Sequence, residues 1–473
     1  MSPTEAQPPK PQRGKVIGVT IAAAIGGLLF GFDTAVINGA VSAIEQEFEL
    51  SPGALGITVA ITLLGCAVGA WFAGQLADVW GRKKVMVLAA AFFVASSLGS
   101  GLAVSEWDLA AWRLLGGLAI GIASVIAPAY IGEVAPARLR GSLGSLQQLA
   151  ITTGIFAALL SDAYLAAAAG NPLAELWLGL PAWRWMLLVG VIPAVVYGVL
   201  ALSIPESPQF LLRNGRVDEA RDVVARVTGS SNPDERINEI RDSFDEERRA
   251  SYRDLRGPML GLQPILWVGI GLAAFQQLVG INAIFYYSTV LWQSVGFSTS
   301  DAFLTSVITA AINVAMTFVA ILFVDKVGRR KLLLSGSAGM FAGLVATAIA
   351  FSQSTGSGVN VELGAPWGAV ALVGANLFVV FFAATWGPVM WVALGEIFPN
   401  KMRSLALGLA AMVNWIFNFI VTILFPPLSE SIGLGYIYAG FAFFALLSFW
   451  FVKVAFPERT GKELEDRQEQ VRP

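Results

Sequence analysis

Two ionisable side chains lie deep inside long apolar stretches of this chain. They are Asp33, in GFDTAVING, and Arg113, in RLLGGLAIG. A carboxylate binds and releases a proton where a guanidinium stays charged, so a facing Asp–Arg pair is a unit that one proton opens or closes. A lone charge in hydrocarbon costs several kcal/mol, which makes pairing the default. A permanent ion pair tying two helices together is the alternative that these two residues leave open. Other reactive types are scarce. The chain of 473 residues has no histidine and one cysteine, Cys66. That excludes an internal disulfide framework and a thiolate metal cluster, together with the usual zinc ligand, general base and near-neutral pH switch. No GxxxxGK[ST] phosphate loop is present, and no cofactor is expected. Proton chemistry in this chain therefore falls to a carboxylate, and Asp33 is the candidate. Asp162 is expected near a helix end, in reach of the membrane interface and solvated.

Composition says what must hold these groups. Hydrophobic residues make up 56% and charged residues 14%, against about 25% charged in a soluble domain. The net charge of −2 gives no affinity for nucleic acid. Twelve apolar runs are long enough to cross a hydrocarbon core of about 30 Å at about 1.5 Å per residue. They are placed near 16–40, 54–77, 85–104, 109–131, 142–164, 183–204, 265–293, 302–324, 332–351, 367–394, 405–427 and 434–455, and are numbered helix 1 to helix 12. The first 15 residues lack a signal-peptide cleavage pattern and are expected to form a cytosolic tail. With this threading 29 of the 31 basic residues fall on one side, leaving Arg113 and Arg184 elsewhere. The positive-inside rule then puts both termini in the cytosol. The expected organisation is a tail (1–15), a first six-helix bundle (16–204), a linker (205–263), a second bundle (264–455) and a tail (456–473). The charged part of the linker is expected to form short amphipathic helices at Asp218–Arg226 and Asp234–Arg249.

The two halves repeat. GQLADVWGRKK after helix 2 returns as VDKVGRRK after helix 8, so that Asp78, Gly81, Arg82 and Lys84 recur as Asp325, Gly328, Arg329 and Lys331, always 247 positions later. EVAPARLRG after helix 4 returns as EIFPNKMRS after helix 10, placing Glu133 and Arg140 opposite Glu396 and Arg403. A looser echo matches Glu206 in PESP with Glu458 in PERTGK. Simple anchoring of short loops requires neither the acids nor the glycine. The repeat is therefore read as a cytosolic gate, whose carboxylates and guanidinium groups pair across the halves when that gate shuts. Two related six-helix halves around a midplane site form the architecture of alternating-access carriers.

These motifs, with RLLGGLAIG, PESP, FQQLVGINAIFYYS, GPVMWVALGEIFP and PERTGK, give the chain its resemblance to the major facilitator superfamily and, within it, the sugar porters. The resemblance runs from about Gly26 to Glu465. Two departures, Gln209 after PESP and PERTG in place of PETKG, lie at cytosolic helix ends and bear on gating. The resemblance implies an all-α membrane protein of twelve transmembrane helices, in two pseudo-symmetric six-helix bundles with a cytosolic helical loop between them. It further implies a monomeric proton-coupled importer of a monosaccharide, glucose or a close hexose, in which Asp33 carries the proton and Arg113 sets its affinity. A facilitator without coupling remains the alternative, as do xylose, galactose and inositol as substrates. A drug–proton antiporter is disfavoured because helix 5 reads QQLAITTGIFAALL, without the GP motif of such carriers. A bacterial cytoplasmic membrane is expected, since the chain has no N-x-S/T sequon and arginine outnumbers lysine 22 to 9.

Sugar hydroxyls need donors and acceptors, and neutral amides offer both without the cost of burying a charge. Gln276, Gln277 and Asn282 in helix 7 and Asn414 in helix 11 fall near the midplane, Gln147 and Gln148 open helix 5, and Asn418 follows in helix 11. Gln276 and Gln277 point about 100° apart on a helix, which leaves open that one of them faces a neighbouring helix. Gly387 and Pro388 are expected to break helix 10 beside Trp391, whose ring suits the C–H face of a sugar. By the resemblance the sugar site comprises Phe30, Gln148, Gln276, Gln277, Asn282, Gly387, Trp391 and Asn414, closed from outside by Tyr286 or Tyr287.

Overall fold

The computed structural model describes residues 13–134, 140–225, 232–246, 252–294, 296–355, 363–399 and 402–456. Twelve helices in it are long and apolar enough to span a membrane. In the first half they are Ala24–Glu47, Pro52–Trp80, Arg82–Gly101, Glu106–Ile131, Gln147–Ala169 and Ala182–Ser203. The second half contributes Pro264–Gln293, Thr299–Val324, Arg329–Ser352, Trp367–Ile397, Leu405–Ser431 and Leu434–Ala455. All twelve predicted spans are present, in two halves of six. The largest differences are at two ends. Helix 1 runs to Glu47 instead of 40, and helix 5 to Ala169 instead of 164.

The polar end of helix 1 is stable because its acid has partners. Glu47 accepts from the Trp183 indole at 2.7 Å and pairs with Arg184 at 2.7 Å. Arg184 also caps the carbonyls of Gly101 and Ala103, and its guanidinium lies over the Trp183 ring. Trp183 is thus a packing residue in this network, and Trp185 meets Trp177 edge to face. Within the first half, helices approach to backbone contact at glycines. A Cβ on Gly31 would overlap Ile151 O, and one on Gly154 would overlap Leu28 O, so helices 1 and 5 are locked at van der Waals distance. Gly65, Gly69, Gly117 and Gly121 do the same between helices 2 and 4. Where lipid removes the hydrophobic drive for helix association, such small-residue packing supplies it.

Two spans are interrupted where polar groups cluster. Helix 7 consists of Pro264–Leu278 and Ile281–Ser294, separated at Gly280, whose φ of 85° suits only glycine well. Helix 10 widens into a π segment, Phe382–Trp386, before Gly387–Ile397. Between the halves, Pro208–Arg213, Val217–Val223 and Pro233–Glu246 close on Leu211, Leu212, Ala220, Ile237 and Ile240. The first of these helices was not anticipated. Its signal was Ser207, which caps Phe210 N. The tails of the two expected linker helices, from Arg226 and from 247, lie outside the described residues. A two-stranded hairpin, Glu175–Trp177 with Leu180–Pro181, is too short to leave a periodic trace.

Candidate functional site

Asp33 and Arg113 meet as expected. Arg113 Nη1 lies 3.5 Å from Asp33 Oδ2 and donates to Asp33 O at 3.3 Å, and both side chains are buried. The pair is electrostatic more than hydrogen-bonded, because Asp33 Oδ2 and Arg113 Nε have no hydrogen-bond partner. A proton or a water can therefore enter without first displacing a strong hydrogen bond.

The amides assemble into one network in the second half. Asn414 donates to Gln276 Oε1 at 2.8 Å and to Ala273 O at 3.1 Å. Gln277 donates to Asn414 Oδ1 at 3.0 Å, and Asn282 donates to Gln277 Oε1 at 2.6 Å. Gln276 reaches Trp386 O at 3.0 Å and Gly387 O at 3.3 Å. The π segment thus matters through carbonyls that the widened turn leaves to a side chain, and the helix bends there without breaking. Both glutamines belong to the network, and Gln276 at the same time faces helix 10, as one of them was expected to face a neighbouring helix. The amides satisfy one another, so a polyhydroxylated ligand exchanges hydrogen bonds for hydrogen bonds.

The other expected residues are placed as follows. Phe30 packs its ring on Trp415 at 5.2 Å, joining helix 1 to helix 11. Gln148 is half-buried, and its amide makes no hydrogen bond among the described residues. Trp391 is 37% exposed. Tyr287 stacks on Phe425 and donates to Thr422 O at 3.2 Å, while Tyr286 is buried beside Asn418. Asn418 accepts from Thr422 within helix 11 and donates to Tyr286 Oη of helix 7 at 3.5 Å, and Gln147 fills the space opposite Gly27.

A residue that sequence reasoning missed is Asn38, five positions beyond Asp33. Its amide donates to Phe285 O and Ser288 Oγ, both at 2.7 Å, and accepts from Thr289 N at 3.3 Å. The Asn38 carbonyl accepts from Thr289 Oγ1 at 2.8 Å. These bonds fasten helix 1 to helix 7 across the halves, at the end opposite the basic loops. The available signal was an amide inside an apolar run. Outside this seal a cleft of about 50 Å³ remains between the halves, lined in part by Glu45, Tyr287, Phe425, Ser429 and Glu430.

The basic end repeats in space as it does in sequence. Arg82 pairs with Glu133 at 2.9 Å and donates to Ala77 O, and Arg329 pairs with Glu396 at 2.8 Å and donates to Val324 O. Gly81 and Gly328 turn the chain ahead of each arginine with φ of 89° and 91°, which is why the glycine recurs. Asp78 adds a contact to Arg82 at 3.2 Å, Glu206 accepts from the backbone N–H groups of Arg82 and Lys83, and Ser207 donates to Glu133. Burial raises the pKa of Glu133 from its ordinary value, against the lowering effects of Arg82 and Ser207. Arg82–Glu133 and Arg329–Glu396 each close within one half here; the pairing across the halves expected for the shut gate is not the arrangement of this structure, whose halves are fastened at the other end. Glu458 and the side chains of Arg140, Asp325 and Arg403 lie outside the described residues.

Asp162 departs from the sequence expectation. It is fully buried, with Oδ2 accepting from Gly39 N at 3.2 Å. The expected solvation fails because helix 5 continues for two further turns beyond it.

Known proteins with this arrangement are numerous. Residues 19–470 match the family model described as "Sugar (and other) transporter". The chain is 49% identical over 451 residues to the "Glucose transport protein" of Synechocystis sp., covering 95% of this chain and 96% of that one. The E. coli xylose transporter XylE in a partially occluded inward open conformation superposes with a TM-score of 0.80 at 30% identity, covering 94% of this chain and all of that one. The proton:xylose symporter XylE bound to 6-bromo-6-deoxy-D-glucose also gives 0.80, at 32% identity, covering 97% of this chain and all of that one. Fold and sequence agree: the chain belongs to the sugar transporter family of the major facilitator superfamily.

Proposed function

We propose that this protein is a proton-coupled importer of a monosaccharide, glucose or a close hexose, working as a monomer by alternating access in a bacterial cytoplasmic membrane. The observation that carries the coupling is the Asp33–Arg113 pair, a buried and weakly hydrogen-bonded charge pair on the helix that also fastens the far end of the carrier. The basic end faces the cytosol. Sugar enters from the opposite side, between Phe30 and Gln148 of the first half and the amides Gln276, Gln277, Asn282 and Asn414 of the second. Gly387 offers its carbonyl, Trp391 lies under the ring, and Tyr286 and Tyr287 close above it. Protonation of Asp33 loosens its hold on Arg113 and lets helix 1 move with the bound sugar. Asp33 then gives its proton to the cytosol, and no covalent bond is made or broken. The seal at Asn38 and the like-half pairs at the basic end support reading this structure as inward-facing. The glucose transport assigned to the Synechocystis relative and the glucose derivative seated in XylE support a hexose.

The test is sugar-induced alkalinisation outside proteoliposomes or right-side-out vesicles, for the native protein and Asp33→Asn, across glucose, xylose, galactose and inositol. Native protein alkalinises with its substrate. Asp33→Asn binds and exchanges sugar but neither moves protons nor accumulates sugar. Accumulation with proton flux in Asp33→Asn overturns the assignment, and protonophore-insensitive accumulation in native protein overturns coupling altogether.

A further inference from the structure

Asp162 is the buried acid that the transport cycle above leaves unused. It sits in helix 5, fourteen positions beyond Gln148, with no solvent exposure and no cation paired to it among the described residues. Oδ2 accepts from Gly39 N at 3.2 Å, and Oδ1 has no hydrogen-bond partner. Gly39 is what lets the carboxyl reach the backbone of helix 1. A Cβ there would stand 2.7 Å from Cβ, Cγ and Oδ2 of Asp162. The neighbouring residue, Asn38, makes the four hydrogen bonds that hold helix 7. Successive helical positions point about 100° apart. One turn of helix 1 therefore presents Gly39 to helix 5 inside its own half and Asn38 to helix 7 across the gap. Where a helix slides or rotates on helix 5, the Asn38 amide moves off Phe285 O and Ser288 by the same amount, and hydrogen bonds of 2.7 Å tolerate little of that.

We propose that Asp162 is a positioning residue for the outer gate, bracing the Asn38–Gly39 turn of helix 1 against helix 5 so that Asn38 meets helix 7. This rests on the transporter reading for the meaning of the gate, but the contact itself is tested without sugar or proton. An amide offers the same acceptor at the same place without a charge, so asparagine preserves the brace. Leucine keeps the bulk and loses the acceptor.

The experiment uses full-length protein in right-side-out vesicles with Cys66→Ser and a reporter, Gln148→Cys, in the central site behind the seal, where the substitution breaks no hydrogen bond. A membrane-impermeant maleimide is added from the outer side, and the labelling rate reports how often the gate opens. Asp162→Leu is expected to raise the rate roughly five-fold, the weight of one hydrogen bond to a backbone N–H. Asp162→Asn is expected to match the parent. Asn38→Ala raises the rate as well, and the double variant Asn38→Ala with Asp162→Leu labels no faster than Asn38→Ala alone, because both changes remove the same latch. Where the leucine variant does not reach the membrane, Asp162→Ala repeats the test with space in place of bulk. Parent-like labelling by the acceptor-free variant, failure of asparagine to restore the rate, or fully multiplicative effects in the double variant overturns the proposal. A carrier that proves to be a uniporter leaves every one of these outcomes unchanged.

Discussion

The buried pair should respond asymmetrically to the loss of its two members. At 3.5 Å, and with the effective dielectric of about 20 that suits protein sites, the attraction between Asp33 and Arg113 is about 5 kcal/mol before desolvation. Removing one partner of a buried pair costs about 3–5 kcal/mol, chiefly because a bare charge stays behind. That cost falls differently on the two sides. In Arg113→Met the carboxyl left behind neutralises itself by binding a proton, whereas in Asp33→Asn the guanidinium has no such escape. Asp33→Asn is therefore expected to lose the full 3–5 kcal/mol or so, a fall of roughly 3–5 °C in unfolding temperature for a chain of this length. Arg113→Met is expected to lose less than half as much. The double variant Asp33→Asn with Arg113→Met leaves no charge and is expected within about 1 kcal/mol of native. The assay is tryptophan fluorescence during heating in detergent at one fixed scan rate, since unfolding of such proteins is a rate process. A double variant as unstable as the sum of its parents shows that the two side chains do not act as a pair, and refutes the reasoning.

Two further outcomes follow from the site and its gate. Gln276→Ala removes the acceptor for Asn414 and the donor for Trp386 O and Gly387 O, so sugar affinity by tryptophan quenching should fall roughly 10–100-fold. Gln148→Ala breaks no existing hydrogen bond and should leave thermal stability unchanged while still weakening the sugar; a stability loss at Gln148 equal to that at Gln276 contradicts the network. At the basic end, burial raises Glu133, so the folded protein holds that proton more tightly than the unfolded chain does. Its contribution to stability is then fully present below the unfolded value and lost as pH rises through the folded one. The unfolding temperature of native protein minus that of Glu133→Gln should accordingly grow as the pH is lowered from mildly alkaline to mildly acidic. A difference that shrinks reverses the sign of the assignment.

The spans, the duplication and the Asp33–Arg113 pair were legible because each rests on a pattern along the chain: apolar length, a charge motif at fixed offset, and a charge where none is tolerated. The limits appear where partners come from distant sequence. Helix 1, expected to end near 40, runs to Glu47, whose exposed carboxylate is partnered by Arg184 and Trp183, about 136 positions away. Asp162 shows the same limit, since a helix end placed too early in the sequence puts a buried acid at the membrane interface. The gate arginines are legible by type, but the motif does not say which half supplies the acid, and here each acid comes from the arginine's own half. Asn38 shows a different limit. Its role depends on helix 7 bringing Phe285 O, Ser288 and Thr289 to one point, and nothing in GFDTAVING encodes that meeting.

Helix 1 shows why so much function rests on one element. Phe30, Asp33, Asn38 and Gly39 occupy about 14 Å of a single rod, and each meets a different neighbour: Trp415 of helix 11, Arg113 of helix 4, helix 7, and Asp162 of helix 5. In the proposed cycle the rod moves as one body, so a change at Asp33 reaches the seal less than two turns away without any relay of side chains. The two halves of the coupling problem, binding the proton and opening the gate, are then one displacement seen at two heights. Glycine packing of helix 1 on helix 5 at Gly31 and Gly154 restricts that displacement to sliding and rotation along the shared face. An alanine at Gly31, which must separate the two helices, should therefore impair the gate even in vesicles where Asp33 and Arg113 remain intact.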